Sequence, residues 1–283
     1  MNRKTLFSAL PRTLLVASTL LASTATAAMV DKSTNGVRVR LRGELPLART
    51  TDVVLLAVGT SMRTSDYDKL ATEIANRGYI VAIMDHNPGN MIKTSAARYS
   101  DGVQWIQDNM VNWVRGSGCE EIGLWIVGGH SAGGQAAQEA LSDNPQLADA
   151  IFSIDPYNCN DVGEVDVPAM YWGIDATSCF VGKDDAAKAG FYKSQFVRAF
   201  YQVNTRFGWS WCGYSPEYFH CSFADDHCPG CTNCKTTPAS FFVDVAESVD
   251  NYITALVNRD WSKQNLQISG PTPHRLYIDN DRP

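Results

Sequence analysis

Residues 37–42 alternate strictly, with Val37, Val39 and Leu41 set against Arg38, Arg40 and Arg42. A period of two predicts a strand with its aliphatic face on a core and its arginines toward water. Residues 53–58 (VVLLAV) form a short unbroken apolar run, the pattern of a strand buried on both faces. The runs 79–84 and 122–127 read the same way, and 150–154 and 167–173 are shorter versions. Helical patterns lie between them. Ser65, with Asp68 three residues on, predicts a cap for a helix through Leu70 and Ile74 that Gly78 stops. Residues 95–114 place Val103, Ile106, Met110 and Val114 near helical spacing. A helix is expected from 132 to 141, ended by Asn144-Pro145, and a last amphipathic one over 241–257. Tyr218-Phe219 is expected to end the last strand. Buried strands alternating with helices predict an α/β fold, a mostly parallel sheet covered on both faces. In such sheets ligands sit beyond the carboxyl ends of the strands, so the residues after each strand are where chemistry is sought.

The first 28 residues follow another pattern. Arg3 and Lys4 precede an apolar run around Leu14, Leu15 and Val16, and Ala25-Thr26-Ala27-Ala28 closes it. This is the arrangement of a cleaved export signal, with an apolar core too short to remain as a membrane span. The expected organisation is a leader over 1–28, one domain over 29–261, and a polar, loosely held tail over 262–283. Export implies a secreted or periplasmic protein. Loss of Arg3, Lys4 and Arg12 takes the formal charge from −6 to about −9. That balance disfavours nucleic acid and anionic membranes as partners, and no integral membrane segment is expected after cleavage. Oligomeric state is not legible in the sequence.

Export also changes the reading of the cysteines. All eight follow the leader: Cys119, Cys159, Cys179, Cys212, Cys221, Cys228, Cys231 and Cys234. Outside the cytoplasm thiols become disulfides, and an even count predicts four bridges of unassigned pairing. Cys228-x-x-Cys231-x-x-Cys234 also has metal-like spacing, completed by Cys221 or His227. Oxidising surroundings favour disulfides over a metal site, so no metal is expected, and the serine chemistry read below calls for no cofactor.

The strongest chemical signal is Gly129-x-Ser131-x-Gly133, between the run 122–127 and the helix from 132. A serine on that strand–turn–helix junction is presented on a tight turn above the sheet edge. The alternative is a Gly-rich turn that binds an anion without covalent chemistry. A nucleophilic serine needs a histidine base oriented by a carboxylate. In strand–turn–helix hydrolases the chain order is Ser, acid, His, which leaves His220, His227 and His274. His220 is preferred, because it follows Tyr218-Phe219, whereas His274 sits in the proline-rich tail. Asp155 and Asp175 each follow a strand, and pattern alone does not separate them. Backbone N–H groups of Ala132 and of Thr60 or Ser61 are expected to face the developing oxyanion.

Several stretches carry a family resemblance. These are Val58-Gly59-Thr60-Ser61, residues 75–82 (ANRGYIVA), Gly129 to Gly134, Ser153-Ile154-Asp155-Pro156, and His220-Cys221-Ser222-Phe223-Ala224-Asp225. Over about residues 53–226 the chain resembles α/β-hydrolases of the secreted platelet-activating-factor acetylhydrolase and chlorophyllase type, and bacterial polyester hydrolases. The resemblance implies the α/β-hydrolase fold, a serine esterase activity, and a triad of Ser131, Asp155 and His220. The cysteine run after His220 departs from those families. Asp225 and Asp226 follow the histidine and read as loop caps or surface charge.

The segment 183–218 is rich in aromatics, among them Phe191, Phe200, Tyr201, Trp209 and Trp211. It reads either as a wall over an acyl pocket or as a core-packed helix with a stapled loop. Trp209 and Trp211 are the candidates for substrate contact. The function expected is ester hydrolysis on a small-molecule, lipid or polymer ester. Acyl transfer or amide cleavage on the same residues, a non-catalytic binding module of this fold, and an extracellular zinc protein are the alternatives.

Overall fold

The computed structural model describes residues 30–34, 36–86, 95–158, 163–175, 185–205, 207–210, 213–216, 218–225 and 236–279. For residue 30 and the two segments between 207 and 216 it describes the backbone alone. The strands are β1 (Val30–Thr34), β2 (Val37–Arg42), β3 (Thr50–Ala57), β4 (Ile80–Asp85), β5 (Glu121–His130), β6 (Ala150–Ile154), β7 (Ala169–Ile174), β8 (Arg198–Val203), β9 (Phe207–Ser210), β10 (Gly213–Pro216) and β11 (His274–Ile278). The helices are α1 (Asp68–Ala75), α2 (Ala96–Trp113), α3 (Ala132–Asp143), α4 (Asp185–Lys193), α5 (Ala239–Asn258) and α6 (Lys263–Leu266). The expected leader, residues 1–28, lies outside the described residues.

Nine strands form one sheet in the order β1-β2-β4-β3-β5-β6-β7-β8-β11. The six from β4 to β8 are parallel, while β1, β2 and β11 join antiparallel at the margins. The buried stretches of the central strands, such as residues 53–57 of β3 and 80–84 of β4, are apolar because both of their faces are covered. Val54 and Leu56 point into a core shared with Leu70, Ile74, Phe241 and Val245 of α1 and α5. Val53, Leu55 and Ala57 point into a second core with Tyr99, Val103, Ala136 and Phe191 of α2, α3 and α4. The chain steps from β3 outward to β4, then crosses back to β5 on the other side of β3. The crevice beyond the ends of β3 and β5 is therefore the topological switch point, where such sheets bind ligands.

Several local expectations shift. The aliphatic face of β2 is buried, but Arg40 and Arg42 do not reach out to water. Both converge on Asp68, at 3.0 and 2.7 Å, because the turn before α1 covers that face. Ser65 does not cap α1. A 3-10 turn, Thr64–Tyr67, precedes the helix, and the Arg63 N–H donates to the Asp66 carboxylate at 2.7 Å. Tyr218-Phe219 ends no strand. These residues are apolar because they pack into the core, Tyr218 stacking on Phe241 at 5.0 Å. The last parallel strand is β8, drawn from the aromatic segment, where Phe200 and Tyr201 are fully buried. The stretch expected as a loose tail carries α6 and the edge strand β11, whose Leu276 is buried. Tyr201 Oη donates to the Leu266 carbonyl at 2.6 Å, which ties that stretch to the sheet.

Candidate active site

The turn between β5 and α3 presents Ser131 with φ 56° and ψ −122°, a conformation that costs a non-glycine residue on the order of 1–3 kcal/mol. Three bonds hold it there. Ser131 N–H donates to the Ile154 carbonyl at 3.0 Å, and the Ser131 carbonyl accepts from the N–H groups of Gln135 and Tyr157, each at 3.1 Å. The flanking glycines are required by proximity. A Cβ on Gly129 would lie 2.6 Å from the carbonyl carbon of Gly133, and one on Gly133 would lie 2.5 Å from the carbonyl oxygen of Ala57. The loop after β3 rests directly on the serine, since a Cβ on Gly59 would stand 3.1 Å from Ser131 Cβ. Thr60, exposed, is the next residue. Ala132 opens α3, and the helical ladder begins only with Gln135, so the Ala132 N–H lacks an intrahelical acceptor.

Asp155 follows β6 and also has positive φ, 40°. Its N–H donates to Trp172 O at 2.7 Å, and its Oδ1 accepts from the Ile174 N–H at 3.3 Å. Its Oδ2 accepts from His220 Nδ1 at 2.7 Å, with both side chains buried. With Nδ1–H given to the carboxylate, Nε2 carries the lone pair of the neutral ring. His220 opens a 3-10 turn, His220–Phe223. Asp175, the other candidate acid, follows β7, and its N–H donates to the Val203 carbonyl. Three of the positive-φ residues other than glycine, Ser61, Ser131 and Asp155, follow β3, β5 and β6, so the backbone strain gathers beyond the carboxyl ends of these central strands.

A further histidine lies underneath. His130 is fully buried, its ring centroid 4.5 Å from that of His220. Its Nε2 is 2.8 Å from the His220 carbonyl, and its Nδ1 is 2.8 Å from Tyr67 Oη. Burial, reinforced by neighbouring His220, holds its pKa well below the ordinary histidine value, so it is neutral. His86, after β4, is also buried, and neither ring nitrogen has a hydrogen-bond partner among the described residues. Burial, with Arg98 adding to it, lowers its pKa to about 4. Asp225 behaves as a cap, accepting the Lys69 N–H in the first turn of α1 at 2.9 Å.

The remaining candidates divide. Trp209 lies on β9, paired with Tyr214 of β10 in a separate two-stranded ribbon, and its side chain is outside the description. Trp211, His227 and the cysteines at 159, 179, 212, 228, 231 and 234 lie outside the described residues. Cys221 is buried beside His220 and disulfide-bonded, its other half outside the described residues. Cys119 corrects the expectation of four bridges. It is a free, buried cysteine whose Sγ donates to the Glu121 carbonyl at 3.3 Å. It belongs to the same apolar core as Val53 and Leu55 of β3, and the seven cysteines that remain are too few for four bridges. Among the described residues no cluster of His, Cys, Asp or Glu has the makings of a metal site, and no helix is long and apolar enough to cross a membrane.

The sequence reading did not single out Tyr67, His130 or Tyr157. His130 sits inside the GxSxG motif, and its buried place at the end of β5 was a usable signal. Tyr67 carried none. Tyr157 is 54% exposed two residues after Asp155, with its N–H on the Ser131 carbonyl, which puts an aromatic ring at the rim of the site. The chain matches no family model, and no curated protein matches it.

Proposed function

We propose that this chain is a serine hydrolase of the α/β-hydrolase type that cleaves carboxylic esters through an acyl-enzyme on Ser131. The observation that carries the reading is the buried 2.7 Å bond between His220 Nδ1 and Asp155 Oδ2 beside a serine held in a strained elbow. Such a pair fixes the imidazole tautomer and stabilises the imidazolium that forms during attack. His220 Nε2 takes the Ser131 proton as Oγ bonds to the ester carbonyl carbon, and the carbonyl electrons move onto oxygen. N–H groups of Ala132 and Thr60 meet that oxyanion, each worth about 3 kcal/mol in the transition state. Collapse breaks the bond to the alcohol, which leaves with the proton from His220. Water then attacks the acyl carbon, giving a proton to His220; collapse breaks the bond to Ser131 Oγ, which takes that proton back from His220, and the carboxylic acid departs. The substrate class is a small-molecule, lipid or polymer ester.

Export to a secreted or periplasmic setting belongs to the same proposal, with cysteines of the loop after His220 stapled by disulfides that hold the base in place. Hydrolysis of p-nitrophenyl esters from acetate to palmitate tests the activity. Turnover by the wild type that Ser131→Ala abolishes supports it, and the preferred chain length sizes the acyl pocket. Equal inertness of both proteins overturns it.

A further inference from the structure

Three hydrogen bonds beneath the site link four residues in a continuous buried chain. The Gly59 N–H meets Tyr67 Oη at 2.9 Å, Tyr67 Oη meets His130 Nδ1 at 2.8 Å, and His130 Nε2 meets the His220 carbonyl at 2.8 Å. Its proton positions follow from chemistry. A carbonyl oxygen only accepts, so Nε2 carries the imidazole hydrogen. The Nδ1 of the neutral ring then accepts, and Tyr67 donates its one hydroxyl proton there. Met62 Sδ also lies 2.8 Å from that hydroxyl, but the single proton goes to the nitrogen, the better acceptor. The tyrosine oxygen in turn accepts from Gly59. Every bond thus has one direction: Gly59 N–H to Tyr67 O–H to His130 Nδ1, and His130 Nε2–H to His220 C=O.

The ends of this chain are the parts that catalysis must hold in register. Gly59 precedes Thr60, a proposed oxyanion donor. His130 precedes Ser131. His220 is the proposed base. We infer that Tyr67 and His130 are positioning residues, a proton-ordered strut that sets the oxyanion loop, the nucleophile elbow and the His220 main chain at fixed spacing. The inference deepens the ester-hydrolase reading and rests on it for its kinetic consequence. Neither side chain is assigned contact with substrate. A misplacement of about 1 Å can cost about a hundredfold in rate, so the effect belongs in kcat and not in KM.

The test compares three variants with the wild type and adds a tautomer measurement on the wild type alone. Glutamine at 130 keeps a donor where Nε2 stood; asparagine stops short at the level of Nδ1. His130→Asn and Tyr67→Phe are expected to lose about tenfold or more in kcat with KM little changed, and His130→Gln to restore most of the loss. The downfield proton resonance of the His220–Asp155 bond is expected in the wild type and His130→Gln, and broadened in His130→Asn. In wild-type protein labelled with ¹⁵N-histidine, His130 is expected as the neutral Nε2–H tautomer. An Nδ1–H tautomer, or a folded His130→Asn with unchanged resonance and kcat, overturns the strut. So does an equal fall in the glutamine and asparagine variants, which marks packing alone. Should the variants not fold, the wild-type tautomer still decides. A wild type that turns over no ester contradicts the hydrolase reading while the resonance and tautomer results still judge the strut.

Discussion

At the scale of single residues, the site combines a strained serine with a histidine whose proton location is set by its neighbours. Asp155→Asn leaves the packing in place but presents an amide N–H or an uncharged oxygen to His220 Nδ1. The wrong tautomer is then favoured, and kcat is expected to fall by about 10⁴-fold with a minor change in thermal midpoint. Esterase kinetics beside thermal unfolding check both halves. Gly59→Ala tests the contact between loop and nucleophile, since its methyl would stand 3.1 Å from Ser131 Cβ and 3.2 Å from His130 Nδ1. A drop in kcat with the protein still folded is expected, and wild-type kinetics would show that the loop yields freely. The serine was legible because its motif sits between two recognisable elements. The choice between Asp155 and Asp175 was not legible in pattern and rested on the family resemblance. Both follow a strand, and only the three-dimensional path of the chain to His220 brings one of them within 2.7 Å.

At the scale of elements, β3 to β7 were legible because burial on both faces demands unbroken apolar runs. β8 obeys the same rule with Phe200 and Tyr201, yet those aromatics lie within a longer aromatic stretch and carry no period of their own. β11 was hidden for the opposite reason. As an edge strand it buries Leu276 while its neighbours stay partly exposed, so HRLYI reads as polar. Its contribution can be measured. Leu276→Ala is expected to destabilise the fold by about 2–4 kcal/mol, read by denaturant unfolding. Ending the chain at residue 261 would also uncover the outer edge of β8 and remove the acceptor of Tyr201. A truncated chain as stable as the whole would contradict the role given to this strand.

At the scale of the molecule, buried neutral histidines make stability depend on pH. His86 has its pKa lowered to about 4 by burial, against about 6.5 in an unfolded chain. The folded state therefore binds fewer protons between those values. Its contribution is intact above about pH 6.5 and is lost as pH falls toward 4, on the order of 3 kcal/mol in all. His130 acts in the same direction, its pKa being depressed by burial and by His220. Unfolding free energy is expected to decline through that window, less steeply in His86→Phe; a flat profile would contradict the neutral assignments. Redox state gives a second whole-molecule test. Cys119 is expected to resist thiol reagents in the native protein and react once denatured, read by peptide mass, whereas a Cys119 disulfide would reverse the assignment.

The claim at the centre is that Ser131 is a nucleophile activated by His220. A fluorophosphonate probe reports it most directly, because it bonds covalently to an activated serine and its site is mapped by peptide mass. Labelling of Ser131 is expected in the folded protein, and it should disappear in His220→Ala and after denaturation. No label on a folded wild type, or a label on another residue, would contradict the assignment of this site.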